Sequence, residues 1–209
     1  NLGIPENKLR IREHDESELA HYAKKTSDIE FEYPWGWGEL EGIANRGNYD
    51  LNAHQESSGK DLRYFDPNSD NKFTPSVIEP AGGLTRTLFA VLLSLYEEEE
   101  LEKEVRTLFK FKFDLAPIQI GILPLSKKEE LIEVCNSIKS ELGPYFRTEI
   151  DVTQSIGKRY RRQDEIGTPY CITVDFDTLE DKAVTVRDRD SMSQERIKIE
   201  DIKSYFDNM

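Results

Sequence analysis

Apolar positions along the chain change their period twice. From Phe31 to Val77 they are scattered among Gly, Asn, Asp and aromatic residues, with turn signals at Asn48, Gly59 and the run 66–71. That pattern predicts short strands joined by loops. Residues 75–80 read as a short extended run. Gly82 and Gly83 follow, and then Leu84, Leu88, Val91, Leu92 and Leu95 recur at helical spacing, so the predicted order is strand, glycine turn, amphipathic helix. The helix is expected to run into the acidic tract 97–104, whose four consecutive glutamates read as a solvated face. Residues 108–113 alternate apolar and basic side chains, and Ala116-Pro117 breaks the alternation, which places a domain boundary near Asp114 and predicts domains 1–114 and 115–209.

Beyond that break the pattern becomes regular. Residues 118–125 form a strand-like apolar run. Ser126 has Glu129 three residues on, the spacing of a capping box, and should open a helix whose apolar stripe is Leu131, Val134, Cys135, Ile138 and Leu142, closed by Gly143-Pro144. Residues 147–152, 170–176 and 183–190 read as strands, 156–166 and 199–206 as helices. Strands alternating with helices make an α/β unit with a mixed sheet flanked by helices, and with the strand-rich region before it the whole chain is α+β.

Composition narrows the classes. The longest near-apolar run, 88–96, is about half of what a membrane-spanning helix needs, so no membrane partner is expected. Cys135 and Cys171 have no CxxC or Cys/His spacing, so neither a zinc site nor a disulfide scaffold is expected, which fits a reducing cytosol. The chain opens on Asn1 with a polar stretch and no leader pattern, which reads as a segment of a longer polypeptide. With 41 acidic and 28 basic residues the formal charge is −13, which argues against a general nucleic-acid binder.

Three stretches can carry chemistry. At Gly82-Gly83 the backbone can approach a ligand while the next helix offers free N–H groups, with Arg86 one turn in. This suits an anion, whereas Glu79 just before it suits an amine. If residues 39–43 form a regular strand, Glu39 and Glu41 share one face, suited to magnesium or an amine, with a plain Glu41–Arg46 pair as the alternative. Finally, Lys158, Arg159, Arg161 and Arg162 are four cations within six residues. On a helix Lys158, Arg161 and Arg162 fall within roughly 100° of arc, and Arg187 and Arg189 alternate with Asp188 and Asp190 on a nearby strand. This is a nucleic-acid face or a salt-bridged surface. His14, His21 and His54 show neither metal-ligand spacing nor a nucleophile motif.

Taken together, AHYAKKTSDIEF (20–31), GELEGIANR (38–46), YDLNAH (49–54), VIEPAGGLTR (77–86), LAPIQIGILPL (115–125), GKRYRRQDEIGTPYCITVDFDT (157–178) and VTVRDRDSMSQ (184–194) resemble the dimeric glycyl-tRNA synthetases, a family of class II aminoacyl-tRNA synthetases. The resemblance covers nearly the whole chain and rests on the order and spacing of these stretches. It implies part of an antiparallel catalytic sheet, with the third class-defining motif at 77–86, followed by an α/β anticodon-binding domain. It also implies a glycine–tRNA ligase acting with ATP and Mg2+ on glycine and tRNA(Gly), as a cytoplasmic homodimer.

Residue by residue, the resemblance implies ATP contacts at Glu39, Leu40, Gly83, Leu84, Thr85 and Arg86, with Arg86 and Glu39 catalytic and Glu39 a magnesium ligand. It implies a glycine pocket at Glu79, Pro80, Ala81, Gly82 and Gly83, with Glu79 receiving the ammonium. Anticodon contacts are expected from Lys158, Arg159, Arg161, Arg162, Arg187, Asp188 and Arg189. Two departures matter. The family usually has serine where this chain has Ala81, and the first and second class motifs would lie upstream of Asn1, so the 209 residues alone are expected not to form glycyl-adenylate. A rival reading is a non-catalytic nucleic-acid-binding accessory subunit related to these synthetases, which need not keep Glu39, Glu79 and Arg86. A free-standing anticodon domain conflicts with the upstream sheet.

Overall fold

The computed structural model describes residues 2–102 and 104–207. Packing divides the chain into two compact units, Ile4–Ser94 and the residues from Leu95 onward.

The first unit is built on a four-stranded antiparallel sheet in the order β1-β2-β3-β6, from β1 (Leu9–Glu13), β2 (Lys25–Tyr33), β3 (Gly36–Gly47) and β6 (Val77–Gly82). One face carries Leu9, Phe31 and Tyr33, against which Ala90 and Leu93 of α2 (Leu84–Leu95) pack. The helix expected at 84–95 is therefore present. Its stripe is only partly used, because Ala90 and Val91 are buried while Leu84 and Leu88 stay exposed. The turn signal at 66–71 is also borne out: β4 (Tyr64–Asp66) and β5 (Asn71–Phe73) make a hairpin whose corner is tied by Asp66, which accepts from Asn68 N and Ser69 Oγ.

Between β3 and β4 the strand expectation fails. Residues Tyr49–Ser58 form the helix α1, ended by Gly59 in the left-handed conformation with its N–H on the Gln55 carbonyl. None of its residues is buried. With no apolar stripe to read, the two turn signals that flank α1 were the only trace of it.

The second unit contains a five-stranded mixed sheet, order β10-β9-β11-β12-β13. Strands β9 (Ile120–Pro124), β10 (Thr148–Ile150) and β11 (Tyr170–Val174) are parallel, and β12 (Ala183–Asp188) and β13 (Gln194–Lys198) are antiparallel. The crossover through α3 (Glu129–Leu142) leads from β9 to β10 and the one through α4 (Ile156–Ile166) leads from β10 back past β9 to β11, so right-handedness puts the two helices on opposite faces. On one face Leu131, Cys135, Ile138 and Leu142 of α3 meet Ile120, Ile122, Ile172, Val184 and Val186, with Ile202 and Phe206 of α6 (Ile202–Phe206) completing the core. Each such burial contributes about 1.5–3 kcal/mol. Helix α3 starts at Glu129 behind Lys128 with no side-chain cap, so the expected Ser126–Glu129 capping box does not form. Ser126 Oγ instead accepts from the Lys128 N–H. The edge strand β13, mostly exposed, and the short helix α5 (Asp177–Asp181) were not expected.

The acidic tract is not a helix extension. Helix α2 stops at Leu95, and β7 (Tyr96–Glu100) pairs with β8 (Val105–Phe109) as a hairpin. The alternation is that of a strand: Glu97 and Glu99 pair with Lys110 and Arg106, while Glu98 and Glu100 face outward. This hairpin packs with the C-terminal unit, whereas the sequence boundary was drawn after it, near Asp114. The physical reason is Arg106, fully buried, which donates to Asp164 of α4 and to the Arg189 carbonyl. Gly167 closes the contact: its φ is +82°, and a Cβ there would stand 2.3 Å from the Phe111 ring.

Candidate functional site

Register decides which side chains share the open face of the first sheet. Residues paired across antiparallel strands point the same way, so Arg10 and Glu30, Arg12 and Asp28, Glu30 and Glu39, Asp28 and Gly42, Gly42 and Ala81, and Ala44 and Glu79 form one continuous surface. The side opposite α2 is thus lined by charge. Arg10 Nε lies 2.5 Å from Glu30, Lys8 Nζ lies 2.5 Å from Glu32, and His14 Nε2 lies 2.6 Å from Asp28. Asp28 and Glu30 are only 6% and 8% exposed, which is tolerable because each has a cationic or imidazole partner. Sequence reasoning missed this row of ion pairs, because β1 lies outside any motif it used.

The expectation that Glu39 and Glu41 share a face is overturned. Glu30 pairs with Glu39 while Ile29 pairs with Glu41, so Leu40 is an extra residue and the strand is bulged there. The bulge turns Glu39 to the face of Asp28 and Gly42: a Cβ on Gly42 would stand 3.2 Å from Glu39 Oε1 and 3.6 Å from Asp28 Oδ1. Glu41 goes with Ile29, its stem alongside Gly82. Nor does Glu41 take Arg46, whose partners are Asp50 and Glu79.

The turn after β6 is formed as expected. Glu79, Pro80, Ala81 and Gly82 lie in β6, the Gly83 carbonyl accepts from Thr87 N and Oγ1, and Leu84, Thr85 and Arg86 form the first turn of α2 with their N–H groups uncommitted to the helix. Arg86 is exposed, its guanidinium 5.7 Å from the ring centre of Tyr33. Tyr33 in turn packs against Gly38, one residue before Glu39. Tyr33, Trp35 and Phe89 stack with near-parallel rings. Among the described residues no group of three or more His, Cys, Asp or Glu is arranged to hold a metal ion. A single carboxylate such as Glu39 still fits Mg2+ of the kind that takes most of its ligands from nucleotide phosphates and water.

In the second unit the expected basic face is largely internal. Arg159 is buried and donates to the carbonyls of Pro124, Val152, Thr153 and Gln154. Arg187 donates twice to Asp164, and Arg189 donates to the Phe111 and Gly167 carbonyls and to Asp190. Burial turns most of the donors of these three arginines onto carbonyls and the Asp164 carboxylate, so they are core donors rather than an open basic face, although Arg187 also lines the groove beside α4. Asp188 caps the turn after β12 by accepting from Ser191 N and Oγ. Arg161 pairs with Glu104 and Arg162 with Asp151, both part-exposed, while Lys158 lies on the exposed side of α4. Arg161, Lys158 and Arg187 line a groove of about 380 Å³ with Glu104, Tyr160 and Asp164. At the carboxyl ends of the parallel strands, Lys128 Nζ sits 4.8 Å over the ring of the exposed Phe176. No sequence signal had marked that pair.

Buried thiols complete the picture. Burial pushes both Cys135 and Cys171 up to about 12, so neither is a nucleophile at neutral pH.

Comparison with known proteins agrees with this arrangement. Residues 119–209 match the anticodon binding domain. The chain is 56% identical to the glycine–tRNA ligase of Lachnospira eligens, over 99% of this chain and 45% of that protein. It is 54% identical to that of Clostridium perfringens, over 98% and 44% respectively. The solved prolyl-tRNA synthetase of Cryptosporidium parvum, complexed with L-proline and AMP, aligns with a TM-score of 0.68 at 20% identity, covering 99% of this chain and 42% of that one.

The antiparallel sheet and the α/β unit are therefore those of a class II aminoacyl-tRNA synthetase. Within that class its similarity, along nearly the whole chain, is to glycine–tRNA ligases. The chain spans a little under half the length of the relatives it matches.

Proposed function

We propose that the chain is the part of a glycine–tRNA ligase that carries the third class II motif and the anticodon-binding domain. The carrying observation is the pairing of GELEGIANR with VIEPAGG as neighbouring strands, which sets Glu39, Glu79 and Ala81 on one face of the sheet, with β6 leading directly into α2. Glu79 receives the glycine ammonium. The free N–H groups of the α2 first turn and the exposed Arg86 meet ATP phosphates, and Leu40 and Glu39 contact the nucleotide. Mg2+, when bound with ATP, would spread the phosphate charge, with Glu39 as its protein ligand. The glycine carboxylate attacks the α-phosphorus and pyrophosphate leaves, giving glycyl-adenylate; the terminal ribose hydroxyl of tRNA(Gly) then attacks its carbonyl, taking the glycyl group as AMP leaves. Rate enhancement comes from positioning and charge stabilisation, with no covalent enzyme intermediate.

The full-length enzyme is read as a cytoplasmic homodimer. The C-terminal unit binds the anticodon arm of tRNA(Gly) through Lys158, Arg161 and Arg162 on α4, with the Lys128–Phe176 pair offering a ring for an unstacked base. The other two class motifs are not found in these 209 residues, so the chain alone is inactive in glycine-dependent pyrophosphate exchange. In the full-length enzyme, Arg86→Ala should slow that exchange by about 10²–10³-fold, the usual cost of losing one transition-state charge donor. An unchanged rate would overturn the reading.

A further inference from the structure

We propose that Arg46 is a positioning residue that presents Glu79 to the amino group of glycine; this rests on the reading of Glu79 given above. Arg46 stands at an irregularity of β3: Asn45 pairs with Ile78 and Gly47 with Val77, so Arg46 falls outside the ladder. A bulge of this kind re-aims a side chain. Here it is aimed at Glu79, whose own cross-strand partner is Ala44.

The guanidinium is held on two sides. Its Nε and Nη2 fork onto Asp50 at 2.6 and 2.9 Å, and its Cζ lies 3.9 Å from the ring centre of Tyr22. Tyr22 is itself braced by His21, which also meets Tyr49 edge-on. Held in this way, Arg46 has one direction left, and Nη1 donates to Glu79 Oε2 at 2.6 Å.

Glu79 is the more exposed end, its side chain 45% accessible against 20% for Arg46. One carboxylate oxygen is therefore tied and the other is open to a ligand. An unrestrained glutamate would lose side-chain rotamer freedom on gripping an ammonium; the Arg46 contact removes much of that freedom beforehand. A lysine could not keep all three contacts, because an ammonium is a point charge without the planar fork. The proposal also gives a role to AHYAKK and YDLNAH, which no other chemistry uses: they supply the stacking ring and the forked carboxylate.

The test is steady-state pyrophosphate exchange by the full-length enzyme, with glycine and ATP varied separately and Tm recorded for each variant. Arg46→Lys should raise the KM for glycine about tenfold or more while the KM for ATP stays within about twofold. Asp50→Asn, which loosens the fork but keeps the cation, should raise the glycine KM by a smaller factor with little change in Tm. In a Glu79→Gln background, Arg46→Lys should add almost nothing, because the two residues act as a unit. The proposal is overturned by an unchanged glycine KM in both Arg46→Lys and Asp50→Asn. It is equally overturned if glycine and ATP constants rise together in step with a loss of Tm, or if the Arg46 and Glu79 effects simply add. If Glu79→Gln leaves the glycine KM unchanged, the reading of Glu79 itself has failed. If Glu79→Gln raises it and neither Arg46→Lys nor Asp50→Asn does, only the positioning role falls.

Discussion

In the first unit Arg46 is turned on a carboxylate that is nearly half exposed, and Arg86 is exposed at the start of α2 near the Tyr33 ring. In the second unit Arg106, Arg159, Arg187 and Arg189 are 0%, 2%, 6% and 4% exposed, and their donors go to backbone carbonyls and to carboxylates such as Asp164. The same residue type thus serves an open surface in one unit and replaces part of the apolar core in the other. Helix α4 shows the reason: its buried residues are Arg159, Gln163 and Asp164, so the face it buries is polar and is held by hydrogen bonds and ion pairs. Burying charge is costly unless every partner is present, and removing one partner exposes the full cost.

The largest test of this contrast is Asp164→Ala. It strands Arg106 and Arg187 in the interior and should cost about 3–5 kcal/mol in urea unfolding of this chain. A loss below about 1 kcal/mol, the range of a surface pair, would contradict the contrast.

Next comes the surface that remains basic. Lys158→Ala should weaken tRNA(Gly) binding and lower the slope of log K against log salt by about one, the signature of a single phosphate contact. If the affinity is unchanged, the docking face lies elsewhere, and Phe176→Ala would then be the variant to examine.

A smaller effect concerns acid. Hydrogen bonds from Arg196 and the Ala183 N–H hold the Asp181 carboxyl at about 2. A carboxyl lowered on folding stabilises the native state above its unfolded value of about 3.9 and loses that contribution as pH falls toward 2. Asp181→Asn should therefore lower Tm across the neutral region and converge on the parent protein as pH falls from about 4 to 2, which gives it the flatter acid limb. An unaltered acid limb would remove Asp181 from the account.

The smallest expected effect is at the thiols. Both sit at about 12 when folded, so native protein should resist alkylation at pH 8 and react only on unfolding. Prompt alkylation of the folded chain would contradict their burial.

These cases also mark what the amino-acid pattern could and could not convey. Helix α3 was legible because Leu131, Cys135, Ile138 and Leu142 repeat at helical spacing on a buried stripe. Helix α1 was not, since it buries nothing, and neither was β7, whose glutamates alternate in environment but not in type. The site strands were placed by their motifs, yet the faces of Glu39 and Glu41 depended on one extra residue at Leu40, which no alternation rule reveals. Arg159, Arg187 and Arg189 looked like a binding face because charge in a sequence reads as surface, and only the fold showed which carbonyls and carboxylates claimed them.

The most direct test sets one arginine of the core against the carboxylate of the open face in the full-length enzyme. Glycine-dependent pyrophosphate exchange and Tm are measured for Glu79→Gln and for Arg187→Met. The account expects Glu79→Gln to raise the glycine KM by about tenfold or more with Tm nearly unaltered, and Arg187→Met to lower Tm with the glycine KM unaltered. A glycine KM that ignores Glu79, or a Tm that ignores Arg187, would contradict it.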